Sequence, residues 1–574
     1  MPSPHDVLAP RITAAIEAAF GVRDADPVLR PSQFADLQCN APLALAKRVA
    51  MPPREVAARL VEALDVDDVC EQVEVSGPGF VNLTLAPQWI TRQVQALAAD
   101  PRLGVAPVTP QRIVIDYSSP NVAKEMHVGH LRTTVVGDAL ARTLEHLGHT
   151  VIRQNHIGDW GTPFGMLIEH LLDVGEGSAE ARVLESDPNA FYQAARATFD
   201  DDETFATRAR GRVVQLQAGD PETLRLWREL VEGSKRYFNR IYSALDITLT
   251  DADLAGESSY NDDLPRVCAE LEQAGIAVVS DGALCIFQDE FTGRDGAPVP
   301  LIVRKSDGGY GYATTDLAMV RDVVRRLHAD RVIYVVGATQ ALHFTMTWAA
   351  ARLAGWLPDS TTLTHVQIGN VLGKDKKILR TRAGDSLRLM ALIDDAIAAS
   401  RAVLDDARPD LPEPTRDALA RQIGVGAIKY ADLSVAHDTE YVFDLDRMVA
   451  LTGNTAAYLM YQAARITSMF RTAGLDLEGV ERRIEIGEPA ERALALALLQ
   501  FGSTVQQVGE SYEPHRLAAY LFELAQTASV FYEQCPVLKA DAEVRESRLG
   551  LCALTYAVLR QGLALLGVQT PEQM

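Results

Sequence analysis

Residues 118–132, SSPNVAKEMHVGHLR, set two imidazoles three positions apart, His127 and His130, around Gly129, with Lys124 just upstream. On a helix that spacing puts both rings on one face of a turn, where two N–H donors can meet a single phosphate group. The segment follows a predicted strand and opens a predicted helix, so a phosphate there would also face free backbone amides and the positive end of the helix dipole. Gly129 removes the side chain that would block a flat base or ribose from close approach. A bare HxxH reads by default as two surface histidines and a capping glycine. The strand before it, Lys124 and a basic segment downstream move the reading to phosphate chemistry.

That downstream segment, residues 371–389 (VLGKDKKILRTRAGDSLRL), holds Lys374, Lys376, Lys377, Arg380, Arg382 and Arg388 against Asp375 and Asp385. Most charge runs are solvated surface. A glycine-hinged basic loop after a sheet strand is instead expected to close over polyphosphate, putting positive charge where a leaving pyrophosphate develops its own. Two other glycine clusters carry no such chemistry. GNVLGKD at 369–375 is one residue short of a P-loop and has Asp where a magnesium-binding Ser/Thr belongs, and GGYG at 308–311 lacks the third glycine of a dinucleotide fingerprint.

The elements that must position these groups follow from periodicity. Residues 112–117 (RIVIDY) predict a strand, 129–147 a helix, 150–155 a second strand and 163 onward another helix, the alternation of a doubly wound parallel sheet. A polar, helix-prone stretch at about 178–245 interrupts it; the pattern resumes with RVIYVVG at 331–337, a helix to Leu353 and HVQIG at 365–369. The expected fold class is α/β, a Rossmann-like parallel-sheet catalytic domain with a helical insertion. Before it, helical spacing at 7–20 and 43–64 and alternation at 74–85 around Gly-Pro-Gly predict a small α+β N-terminal domain, ended by a Pro/Gly-rich linker at 100–110. From about Ala391 the chain is Ala/Leu-rich helix, an all-α domain. The expected divisions are 1–107, 108–390 and 391–574.

With 47% hydrophobic and 23% charged residues, the 574-residue chain is an ordinary globular sequence able to build several cores. A net charge of −22 rules out a general coating by nucleic acid but leaves room for a local basic patch. Six scattered cysteines without a CxxC pair exclude a zinc ribbon and argue against a disulfide framework, so no zinc or other protein-held metal is expected. No apolar run approaches a membrane span, and a cytoplasmic protein without membrane contacts is expected.

Together these segments resemble the arginyl-tRNA synthetases, within the class I aminoacyl-tRNA synthetases. HVGH at 127–130 is similar to the family's HIGH signature, and the loop from Lys374 to Gly384 stands in the place of its KMSK signature, departing from that consensus with TRAG at 381–384. The likeness continues through FADLQCNAPLALAK (34–47), QNHIGDWGTPFG (154–165), LIVRKSDGGYGYATTD (301–316), QALHF (340–344), YVFDLDRM (441–448), GNTAAYLMYQAARI (453–466) and the terminal LLGVQTPEQM.

The resemblance implies catalytic roles for His127, His130, Lys124, Lys374 and Lys377, with Lys124 compensating for the missing signature lysine. It implies ATP contacts from Gly129, Gly337, His127, His130 and Lys374, and an arginine pocket of Asp116, Asn121, Tyr312, Asp316 and Gln340. Asp116 and Asp316 would hold the guanidinium, a planar, always-charged fork that wants carboxylates in its plane. tRNA contacts fall to Tyr458, Tyr461 and Arg465 in a helical anticodon-binding domain, and to Phe34, Gln38 and Asn40 in an N-terminal domain that meets the tRNA elbow. Taken singly, these residues read as a helix-capping carboxylate, a Tyr/Asp pair at a helix start and a buried amphipathic helix; Trp160 of GDWG reads as core.

The implied reaction joins L-arginine to tRNA(Arg) through an arginyl-adenylate, with ATP as substrate, Mg²⁺ on its phosphates and tRNA needed for the first step, in a monomeric enzyme. Two alternatives stay open: a paralogue that adenylates arginine without tRNA, and a tRNA-binding protein without catalysis. The helical C-terminal region argues against the first, HVGH and the Lys374 loop against the second.

Overall fold

The computed structural model describes residues 3–293, 296–379, 387–477, 479–480 and 483–574, packed as two units. One comprises the chain up to Pro107 with Tyr458–Ala564 and Gln569–Met574; the other comprises Val108–Ala457 with Leu565–Val568.

The second unit holds the sheet that the alternation predicts. Its strands lie in the order Thr362–Ile368, Arg331–Gly337, Arg112–Asp116, Thr150–Gln154, all parallel. Ile113, Val114 and Ile115 are fully buried, the mark of a strand covered on both faces. Helix Val128–Leu147 lies so close to the sheet that a Cβ on Gly137 would stand 2.3 Å from the Tyr117 ring. Because the strands are parallel, Asp116, Gln154, Gly337 and Ile368 end on one edge, where ligands of such sheets bind.

The insertion is four helices, Ala179–Ser186, Pro188–Asp201, Glu203–Gln217 and Pro221–Ala244. The last buries Leu226, Leu230, Phe238 and Ile241 at helical spacing. After it comes a three-stranded antiparallel sheet of Ala277–Ser280, Ala283–Ile286 and Leu301–Arg304, whose four-residue strands are too short to announce themselves by alternation.

The packing does not divide at 391. Helices Leu389–Ala407 and Glu413–Leu433 belong to the second unit, and the reason is buried charge. Asp432, fully buried, lies 2.9 Å from Arg132 Nε, and the Lys429 ammonium donates to the Leu245 carbonyl at 2.7 Å. Ala/Leu-rich composition announces a helix but not the surface it covers. The N-terminal segment likewise does not pack alone: the Asp36 carboxylate accepts from the Leu85 N–H at 2.7 Å and from Arg492 at 2.5 Å, and a Cβ on Gly502 would lie 2.2 Å from the Gly104 carbonyl oxygen. Its own four-stranded antiparallel sheet, ordered Leu29–Pro31, Leu37–Cys39, Phe80–Leu85, Cys70–Ser76, includes the hairpin read from Gly-Pro-Gly. Among the described residues no helix is long and apolar enough to cross a membrane.

Candidate active site

Between strand Arg112–Asp116 and helix Val128–Leu147 the chain makes three left-handed turns on residues other than glycine, Ser118 (φ 74°), Ser119 (φ 47°) and Ala123 (φ 58°). Such residues cost about 1–3 kcal/mol each and persist only where the surroundings fix them. Here the Ser119 N–H donates to Asn155 Oδ1 at 3.0 Å and the Ala123 N–H to Ser234 Oγ at 2.8 Å. Tyr242 OH shares hydrogen bonds with Ser118 Oγ at 2.8 Å and Asn155 Nδ2 at 2.9 Å. Ser234 and Tyr242 both lie in helix Pro221–Ala244, so the insertion braces the loop that leads into HVGH.

His127 caps the helix, accepting the Gly129 N–H on Nδ1 at 3.0 Å, and His130 Nδ1 accepts the His127 N–H at 3.1 Å. With both Nδ1 atoms acting as acceptors, each neutral ring carries its proton on Nε2 and keeps that N–H as a donor. Burial lowers His127 below the usual histidine range; burial, then His127, pushes His130 down to about 3. Both are therefore neutral donors at pH 7. Gly129 has a reason beyond ligand access: a Cβ there would lie 2.8 Å from Cε1 of His127 and displace the cap.

The basic segment is a tight hairpin where a loop was expected. The Leu379 N–H donates to the Val371 carbonyl at 3.0 Å and the Gly373 N–H to that of Lys377 at 2.8 Å. Lys374, exposed, sits 3.4 Å from Asp444 and 3.9 Å from Asp446, while the Lys377 ammonium has no partner among the described residues. Arg380, Arg382, TRAG at 381–384 and Asp385 lie outside the described residues. Beyond them the chain returns to the signature: the Val128 N–H donates to the Leu387 carbonyl at 3.0 Å and the Leu389 N–H to that of Met126 at 2.9 Å. Arg388 bridges Glu125 and Asp187, each at 2.9 Å, and Lys124 Nζ stands 4.6 Å over the ring of Tyr192 in the insertion.

Arg132, inside the signature segment yet not singled out from sequence, ties these parts together. Its Nη1 donates to the carbonyls of Gly369 at 3.0 Å and Thr439 at 2.7 Å, while its Nε faces Asp432. A Cβ on Gly369 would lie 2.7 Å from the Thr439 oxygen. The helix that begins with HVGH thus grips the strand end from which the basic hairpin starts.

At the other end of the site Asp116, buried, accepts from Ser119 Oγ at 3.1 Å and lies 3.1 Å from His156 Nδ1. His156 Nε2 is 3.0 Å from Tyr260 OH. Burial alone would lower His156, but Asp116, then Asp316 and Glu257, hold it above the usual histidine range. Asp316 pairs with His343 Nε2 at 2.5 Å, and the His343 ring meets that of Tyr312, which is 68% exposed, at 4.7 Å. Glu257 opens the short helix Glu257–Tyr260; burial, then Asp159 and Asp316, raise its carboxyl to about 7. Asp159 fixes that helix by accepting from the Ser258 N–H at 2.8 Å and its hydroxyl at 2.6 Å. His156, Glu257, Tyr260 and His343 were not identified from sequence; QNHIGDWG and QALHF contain two of them, but nothing local marks Glu257 in AGESSY.

Asn121 and Gln340 are exposed at the ends of the neighbouring strands, and Asn121 Oδ1 would stand 2.4 Å from a Cβ on Gly158. Gly337 ends its strand with space beside it, since a Cβ there would meet only Thr339 Oγ1, at 3.9 Å. In the first unit Phe34 is 83% exposed, Gln38 Nε2 donates to Asn82 Oδ1 at 2.7 Å, and Asn40 Oδ1 is buried without a hydrogen-bond partner among the described residues. Tyr458, Tyr461 and Arg465 share helix Ala456–Ala473 but not one open face. Tyr458 packs on Phe522 at 5.8 Å, Arg465 stacks over Tyr532 at 3.6 Å, and Tyr461 is the ring left 44% exposed.

A parallel sheet whose first strand leads into a histidine-capped helix, with a basic hairpin tied back to that helix, defines a class I aminoacyl-tRNA synthetase. Residues 93–445 match the family described as tRNA synthetases class I (R), catalytic domain; residues 459–574 match the DALR anticodon binding domain, and 6–85 the arginyl tRNA synthetase N terminal domain. The chain is 66% identical to the arginine–tRNA ligase of Thermobifida fusca over the whole of both chains, and 46% identical to that of Erwinia tasmaniensis over 99% of each. The solved arginyl-tRNA synthetase of Plasmodium falciparum superposes with a TM-score of 0.85 at 27% identity, covering both chains completely. The chain belongs to the arginyl-tRNA synthetase family, and its reaction is the ATP-driven ligation of arginine to tRNA. Neither the tRNA-free nor the non-catalytic alternative fits so complete a likeness.

Proposed function

We propose that the two ends of the site divide the work of arginine activation. The guanidinium lies between the carboxylates of Asp316 and Glu257 against Tyr312, while Asn121 and Gln340 orient the α-ammonium and α-carboxylate. Asp116 acts through His156: the imidazolium balances its charge, leaving two carboxylates for one cation. ATP enters as its magnesium complex, a substrate, with its ribose and base near Gly129 and Gly337 and its phosphates over the HVGH turn; no group of three or more potential ligands among the described residues forms a separate metal cage.

The arginine carboxylate oxygen then attacks the α-phosphorus in line and the bond to pyrophosphate breaks. His127 and His130 donate from Nε2 to the developing charge, with Lys124, Lys374 and Lys377 as cations; none of them transfers a proton. In the second step a hydroxyl of the terminal ribose of tRNA(Arg) attacks the arginyl carbonyl carbon and AMP departs. Tyr461, with Tyr458 and Arg465, serves anticodon bases by stacking, and Phe34, with Gln38 and Asn40, serves the tRNA elbow. The enzyme works as a monomer in the cytoplasm.

The observation that carries this reading is the pair of neutral imidazoles at the helix start on the same strand edge as Asp316 and Glu257. ATP–pyrophosphate exchange with and without tRNA(Arg) tests it. Exchange that depends on arginine and on tRNA is expected; full exchange without tRNA, or none with it, would overturn it.

A further inference from the structure

The second unit carries another cleft, of about 630 Å³, beside edge strand Thr150–Gln154 and along helix Tyr312–Arg325 from Ala318 onward, beyond Asp316. Five guanidiniums line it, those of Arg153, Arg266, Arg321, Arg325 and Arg326. Its carboxylates are largely engaged: Asp253 with the Thr250 N–H and hydroxyl, Asp322 with Arg326, and Asp263 at 3.6 Å from Arg321 Nε. Arg153 is engaged too, on Glu145 at 2.6 Å.

Of the remaining arginines, Arg326 is paired and Arg321 only partly so, while two others have no partner among the described residues. Arg321 is only 5% exposed and gives Nη2 to Glu270 at 3.1 Å, yet its Nε and Nη1 are buried without a hydrogen-bond acceptor. The Trp356 ring holds the group in place at 4.7 Å. Arg266 and Arg325, at the exposed rim, have neither an ionic nor a hydrogen-bonded partner among the described residues. The buried guanidinium adds positive potential beneath the cleft, and the two rim guanidiniums offer free N–H forks to a ligand rich in acceptor oxygens.

We propose that this cleft is a second anion site of the enzyme and that it takes a free polyphosphate, bound by Arg266 and Arg325 at the rim, with the Arg321 charge beneath them. A polyphosphate matches the rim, since its oxygens accept bidentately from the two unpaired guanidiniums of Arg266 and Arg325. The cleft has the volume of a small-molecule site, whereas RNA backbone is bound along extended basic tracks. Tyr260 contributes to its wall while its hydroxyl lies 3.0 Å from His156 Nε2, so the cleft and the proposed arginine pocket share one residue.

The test is equilibrium dialysis of radiolabelled inorganic tripolyphosphate against the full-length enzyme, its catalytic site filled with arginyl-sulfamoyl adenosine, a non-reactive adenylate analogue. Wild type is compared with the double variant Arg266→Gln, Arg325→Gln. The proposal expects one binding site weakened about tenfold or more in the variant, with arginine activation unchanged. Equal binding by both proteins, or none by either, overturns it. So does a variant that keeps tripolyphosphate binding but loses tRNA affinity with a shallower salt dependence, which would assign the cleft to RNA backbone.

Discussion

At the end of the site proposed for arginine the side chains hold one another: Asp116 with His156, His156 with Tyr260, Asp316 with His343. At the phosphate end the histidines are kept neutral by burial and oriented by backbone N–H groups, while Lys374 is exposed on a long pair with Asp444. The difference follows from what each substrate brings. A guanidinium must be told apart from neutral isosteres, so it needs carboxylates of fixed position. A triphosphate arrives with charge in excess, and in the proposed arrangement it meets neutral donors aimed at the transition state, with adjustable cations around it.

The contrast is broken most severely at the histidines. His127→Ala and His130→Ala are each expected to lower kcat of arginine activation by about 10²–10³ with little change in KM for arginine, read by pre-steady-state adenylation. Rates within a few-fold of wild type would remove the helix-terminus phosphate site. A smaller effect is a pH dependence confined to the arginine end. Glu257, raised to about 7, is neutral below that pH and cannot pair with guanidinium, so arginine affinity should fall as pH drops, approaching tenfold per unit. Titration calorimetry of arginine from pH 5.5 to 8.5 checks this, and Glu257→Gln should flatten the profile while weakening binding at high pH. Smallest is the response of the hairpin. Lys374→Ala with Lys377→Ala should slow adenylation about tenfold and leave tRNA binding intact, because exposed ammonium groups are worth less than buried donors. Lys124→Ala is its control, and full activity there would end the role assigned to that lysine.

What the sequence showed and what it hid follow one physical divide. Strand Arg112–Asp116, the HVGH turn and strand Arg331–Gly337 were legible because period, spacing and order are local properties. The arginine end was half legible. Asp116 and Asp316 stand in recognisable strings, but Glu257 and His156 acquire meaning only when the fold brings residues 116, 156, 257 and 316 together. Arg132 lies in the signature itself, yet an arginine on a helix reads as surface until Asp432 is seen beside it. For the same reason the helical residues from Ala391 to Leu433 read as part of the C-terminal domain. Helical spacing names the neighbours on one helix; it does not name the helix packed against them.

Asp316→Asn is the direct test of the proposal that fixed carboxylate charge at the arginine end makes this an arginine enzyme. The substitution keeps size and an acceptor for His343 but removes the charge. Losing one partner of a buried charge pair costs about 2–5 kcal/mol, so arginine kcat/KM should fall by roughly 30-fold or more. The measurement is ATP–pyrophosphate exchange for arginine and for citrulline, its neutral isostere, in wild type and variant with tRNA(Arg) present throughout. The preference for arginine over citrulline is expected to narrow in the variant; an unchanged preference would place the guanidinium away from Asp316.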